Sequence, residues 1–155
     1  MNVEADIVRS AECDADDAFF RAVAERTVSL PGTPSFRISP GLVSVGIALV
    51  SDDEIAALNA TYRGKESSTD VLSFAEFEGR EIVPDDEGNV FLGDLVVSPA
   101  FVSRAAAEDG VPFRRELAFV VSHGILHLLG FDHGEEMFRL QDEATDAVAG
   151  AKSVV

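Results

Sequence analysis

All three histidines of this 155-residue chain fall within eleven residues, in the run Ser122-His123-Gly124-Ile125-Leu126-His127-Leu128-Leu129-Gly130-Phe131-Asp132-His133. His123 and His127 are four apart, so a helix puts them one turn apart on one face. Gly130 follows an apolar helical run directly, where a helix commonly ends in a left-handed residue that glycine adopts without strain. The chain then turns through Phe131 and Asp132 and brings His133 back towards the same face. Three imidazoles with a fourth position open are the ligand set of a catalytic zinc site, expected here at a helix C-terminus. A single buried histidine on an apolar helix is ordinarily a hydrogen-bonded core residue, and one near a helix end can complement the dipole. Confinement of every histidine to this spacing favours a metal instead.

The spacing matches the elongated zinc-protease motif His-Glu-x-x-His-x-x-Gly-x-x-His with one substitution. Gly124 stands where those proteases carry the glutamate that acts as general base, a role worth roughly 10²–10⁴-fold in rate. The metal geometry is kept and the peptide chemistry is weakened. Gly124 in mid-helix also costs about 1 kcal/mol relative to alanine. It either clears space beside the metal or lets the helix pack closely.

A length of 155 residues with 46% apolar content indicates one globular domain spanning 1–155 with a real core. The N-terminus has early acids and no apolar core region, so no signal peptide is expected. The longest apolar stretch, 117–131, is interrupted by two histidines and is too short to span a bilayer. Cys13 is alone, which fits a reducing cytoplasm. Twelve basic and twenty-eight acidic side chains give a net charge of −16. That argues against simple polyanion binding, because phosphate affinity comes from clustered Lys and Arg. An RNA site on this chain therefore has to be a local basic cleft on an acidic body. A second reading is an acidic surface suited to high salt.

Taken in order, residues 3–8 alternate Val3, Ala5 and Ile7 as a strand does. Asp14 or Asp16 caps a first helix with Phe19, Phe20, Val23 and Ala24 inward. Residues 30–34 form a Pro/Gly loop. Residues 42–50 are a β run with Val43, Val45, Ile47 and Leu49 on one face. Ser51-Asp52-Asp53-Glu54 is a capping box, and Ile55, Leu58 and Tyr62 continue its helix. A strand follows over 71–77, then an acidic surface loop over 76–88, then a strand over 90–97. Ser98-Pro99 starts a helix that stops at Gly110. Pro112 opens the histidine helix, and a last amphipathic helix runs from Gly134 through Met137, Leu140, Ala144 and Val148. Residues after Gly150 read as a frayed tail. The order β, α, β, α, β, β, α, α, α gives an α+β domain: a small mixed sheet of about four strands flanked by about five helices.

Three blocks resemble a known family. His123-Gly124-x-Leu126-His127-Leu128-x-Gly130-x-Asp132-His133 closely resembles the signature of the YbeY family of metal-dependent, single-strand-specific endoribonucleases. Asn59-x2-Tyr62-Arg63, followed by Thr69-Asp70-Val71-Leu72-Ser73-Phe74, resembles its second signature. Leu92-Gly93-Asp94-Leu95-Val96-Val97-Ser98 resembles a third, weaker block. The blocks span residues 58–134. The departures are Glu66 where the family commonly has Asp, and Ser68 and Ala75 where it commonly has Pro, all of which bear on loop rigidity.

The resemblance implies cleavage of single-stranded ribosomal RNA, in 16S 3′-end maturation and ribosome quality control. It implies one Zn²⁺ per chain on His123, His127 and His133, catalysis by Arg63, and partners in the small ribosomal subunit and its assembly factors. A planar guanidinium grips a phosphate at two points and stabilises developing charge. Lys65 adds a second phosphate contact. Asp94 either supports a metal histidine from behind or only ends a strand. The competing readings are a metal hydrolase of another substrate and a non-enzymatic assembly factor with a structural metal. Structural zinc usually has four protein ligands, and Cys13 is not placed to supply one.

Overall fold

A computed structural model describes residues 2–30, 41–132 and 134–150. The expected loop at 30–34 beyond Leu30, the tail after Gly150, and His133 lie outside the described residues. The elements are β1 (Asn2–Arg9), α1 (Asp17–Val28), β2 (Leu42–Leu49), α2 (Asp52–Arg63), β3 (Val71–Ala75), β4 (Asn89–Val97), α3 (Pro99–Asp109), α4 (Phe113–Leu128) and α5 (Glu135–Ala149). This is the expected order, and the sheet is mixed, β1-β2-β4-β3, with only β3 antiparallel to its neighbour.

The strands form where β-branched and aliphatic residues alternate. On β2, Val43, Val45, Ile47 and Leu49 are all buried against the helices, while Leu42, Ser44, Gly46 and Ala48 face the other way. The main core joins that face to α1, α4 and α5 through Phe20, Leu95, Leu117, Ile125, Leu126 and Leu140. A smaller cluster of Val50, Ile55 and Leu72 seats α2 on the opposite face.

Caps set the helix limits. The Asp16 carboxylate accepts from the Phe19 amide at 3.0 Å and starts α1. Ser51 accepts from the Glu54 amide at 3.2 Å and starts α2, while the Glu54 carboxylate receives the Ser51 and Ser10 hydroxyls. α4 closes with both bonds of a Schellman turn: Phe131 N–H to the Leu126 carbonyl and Gly130 N–H to the His127 carbonyl, each 3.0 Å. Gly130 sits at φ +98°, where L-residues are strained.

Two details differ from the pattern reading. β3 ends at Ala75, because the chain turns over residues 76–79 and the Arg80 amide bonds back to the Phe77 carbonyl at 2.8 Å. The β2–β4 register also shifts between Ser44 and Gly46. Leu92 and Gly93 of β4 both stand across from Val45, a bulge that Gly93 permits at φ +134°. After the bulge Leu95 faces α4, and Asp94 is left exposed on the α2 side over Gly46. Asp94 therefore does not support a histidine of α4 and acts as a strand residue.

Candidate active-site cleft

The C-terminal half of α4 lies beside β3, and α5 folds back along α4. Between these elements, the end of α2 and the turn after β3 is an open cleft of about 1140 Å³. Arg63, Lys65, His123 and His127 all line it. The predicted residues of the described chain thus gather in one place, although they come from two segments some sixty residues apart. His133 lies outside the described residues.

His123 and His127 are half-buried, with ring centroids 4.6 Å apart and planes at 83°. Their Nε2 atoms are 3.1 Å apart. Each Nδ1 faces an oxygen: His127 meets the Phe131 carbonyl at 3.0 Å, and His123 meets Gln141 Oε1 at 3.4 Å. A carbonyl only accepts, so His127 carries its proton on Nδ1. The Gln141 amide is oriented by its own Nε2, which donates to the Phe119 carbonyl at 3.0 Å. That leaves Gln141 Oε1 to accept from His123 Nδ1. Both Nε2 atoms are then left without a proton and lie 3.1 Å apart, an arrangement that a shared cation would satisfy. Zinc–nitrogen bonds of about 2.0–2.1 Å in a tetrahedral set put two nitrogens roughly 3.3 Å apart, so the pair suits a metal ion. Among the described residues no group of three His, Cys, Asp or Glu side chains is gathered for a metal.

Gly124 faces the sheet. A Cβ there would lie 2.8 and 3.1 Å from the two Leu95 Cδ atoms and 3.3 Å from Ser73 Oγ. Of the two roles open for it in sequence, the close helix packing is the one realised.

Arg63 is the last residue of α2, and Gly64 caps that helix at φ +69°. Its Nη2 donates to the Ser73 carbonyl at 2.7 Å, and its guanidinium carbon lies 5.7 Å from the Phe74 ring centroid. Ser73 Oγ donates to the Gly124 carbonyl at 3.4 Å, so one residue of β3 touches both the arginine and the histidine helix. Lys65 lies in the loop to β3, which the Asn59 side chain holds by donating to the Ser67 carbonyl at 2.8 Å.

The pattern reading missed several lining residues. The first part of the acidic loop over 76–88 is not merely solvated surface: Phe77, Glu78, Gly79 and Arg80 line the cleft. Gln141 interrupts the apolar face Met137, Leu140, Ala144 of α5 and is 2% exposed, and that interruption is the signal that would have found it. The expected local basic cleft is in fact balanced. Arg63, Lys65 and Arg80 share its lining with Asp70, Glu78 and Asp132.

Among the described residues, a mixed four-stranded sheet flanked by five helices, with two imidazoles of α4 sharing a cleft with an arginine at the end of α2, defines an α+β domain. The model of the family described as "Endoribonuclease YbeY" matches residues 10–149. The Endoribonuclease YbeY of Symbiobacterium thermophilum is 39% identical over 97% of this chain and 94% of its own length. The Bacillus subtilis protein of that name is 43% identical over 66% of this chain and 71% of its length. That of Desulforamulus reducens is 50% identical, though the match spans 59% of this chain and 60% of that protein. The solution structure of a Thermotoga maritima protein aligns with a TM-score of 0.57 at 31% identity, over 96% of this chain and 89% of that one. This chain belongs to the endoribonuclease YbeY family.

Proposed function

We propose that this chain is a single-strand-specific endoribonuclease of ribosomal RNA, acting in maturation of the 16S 3′ end and in ribosome quality control. The observation that carries the reading is the Nε2 pair of His123 and His127 in the same cleft as Arg63. His123, His127 and His133 would hold one Zn²⁺ per chain. When bound, zinc supplies Lewis acidity at a phosphoryl oxygen and a nucleophile at neutral pH.

The chain's own residues do the rest. Gln141 and the Phe131 carbonyl hold the imidazole protons on Nδ1. Arg63 meets the phosphate: one guanidinium N–H stays with the Ser73 carbonyl, which fixes the plane, and the others address the phosphoryl oxygens. Charge that develops on those oxygens meets a cation already in place, so little reorganisation is needed. Lys65 contacts a neighbouring phosphate as a point charge. Residue 124 brings no carboxylate, which disfavours peptide hydrolysis. No described helix is long and apolar enough to cross a membrane. The cytoplasm is the proposed site of action, with the small ribosomal subunit and its assembly factors as partners.

The test is cleavage of a labelled single-stranded RNA by zinc-loaded protein beside His127→Ala and Arg63→Ala purified identically. Wild-type cleavage lost in both variants is the expected result. Equal cleavage by all three proteins would mean a contaminating nuclease and would sink the assignment. Products ending in a 2′,3′-cyclic phosphate would identify the RNA 2′-hydroxyl as the attacking group.

A further inference from the structure

We infer that Phe119 and Phe138 form a stacking wall for the unpaired bases of the RNA, an inference that rests on the endoribonuclease reading above. Both rings line the cleft that contains Arg63, Lys65 and the two imidazoles. They are 37% and 48% exposed, two of the six large apolar side chains exposed to that degree among the described residues. Phe119 lies one helical turn before His123, and Phe138 one turn before Gln141, whose amide bonds both the Phe119 carbonyl and His123. Phe119 is thus about one helical pitch, ~5.4 Å, along α4 from His123, and Phe138 stands one turn of α5 from the amide that faces His123.

Arg63 and Lys65 come from the end of α2 and the loop after it, Phe77 and Arg80 from the turn after β3, and the exposed rings Phe119 and Phe138 from α4 and α5. A strand lying in the cleft offers its phosphates to Arg63 and Lys65 and its bases to Phe119 and Phe138. The lining carries as many acids as bases, on a chain of net charge −16. Charge alone therefore gives this cleft little hold on a polyanion, and stacking supplies affinity that does not depend on charge or sequence. Bases within a duplex have both faces covered, so only an unpaired base can use such a wall. Preference for single strands then arises in the cleft itself.

The chain contains no tryptophan, so Phe119→Trp creates a lone reporter. Zinc-loaded Phe119→Trp protein is titrated with a short single-stranded oligoribonucleotide, checked intact on a gel afterwards. Saturable quenching is expected with that strand, and none with the same strand annealed to its complement or with an abasic ribose-phosphate strand. Phe119→Ala and Phe138→Ala are expected to bind the single strand about tenfold more weakly, the loss that accompanies one stacked base. Phe91→Ala, which removes an exposed ring outside the cleft, is expected to bind as wild type does. Unchanged emission at saturating RNA would overturn the inference. So would alanine variants that bind as tightly as wild type while Arg63→Ala does not. A wild type that neither binds nor cuts the single strand overturns the endoribonuclease reading itself.

Discussion

Gln141 is a buried amide with both ends engaged, 3.4 Å from His123 Nδ1 and 3.0 Å from the Phe119 carbonyl. It acts through the histidine, so its loss belongs in metal affinity. Gln141→Leu preserves the volume and removes both bonds. It is expected to weaken zinc binding about 10–100-fold in a chelator competition, with little change in helix content by circular dichroism. Affinity equal to wild type would show that the Phe131 carbonyl alone orients the pair. Glu116, on the same face of α4 two turns before His123, has its carboxyl pushed above the ordinary 4.5, first by burial and then by Asp109 and Asp70. A raised acid favours the folded state at low pH and costs stability above its folded pKa. Glu116→Gln should therefore melt higher than wild type at neutral pH. The gap should close as pH falls to the ordinary carboxylate value and below. A gap that widens on acidification would mean that Glu116 makes a favourable contact as an anion.

At the scale of elements, the close approach of α4 to the sheet sets where the histidines stand. Gly124→Ala gains about 1 kcal/mol of helix propensity but drives a methyl into the buried Leu95 side chain at 2.8 Å. Overpacking typically costs about 1–3 kcal/mol, so the net effect expected is a loss of about 1 kcal/mol. In a domain of this length that is a fall of about 2–4 °C in melting temperature. A raised melting temperature would mean that Leu95 gives way freely.

The elements themselves were legible because their signals are local. The i,i+4 histidines, the Ser51 and Ser98 caps and Gly130 each act within a few residues of themselves. What stayed hidden depends on contacts between distant segments. The Gly93 bulge, which turns Asp94 away from α4, exists only when β2 and β4 pair. Gln141 gains its role only when α5 is laid against α4 and its amide meets His123 and the Phe119 carbonyl. The turn over 76–80 looked like solvated surface because its acids said nothing of the cleft beneath.

Across the whole molecule, the dominant fact is charge. Among the described residues, Arg9–Asp17, Arg104–Asp52, Arg115–Asp146 and Arg139–Glu143 pair bases with acids, mostly at exposed positions where each pair is worth little. The remaining excess of acid repels itself, and added salt screens it. The urea midpoint is expected to rise from low to molar potassium chloride, and a flat series would sink the reading of a high-salt surface. RNA binding should change less steeply with salt than it would in a basic groove, because the cleft lining is balanced.

The cleft is closed by the last described helix. Its arginine lies near position 60, its imidazoles past position 120, and the amide that orients one of them at position 141 of 155. During translation the arginine and its Ser73 partner emerge first, and the imidazoles that share the cleft follow some fifty residues later. A cleft with this topology is complete only once α5 has been made and has folded onto α4.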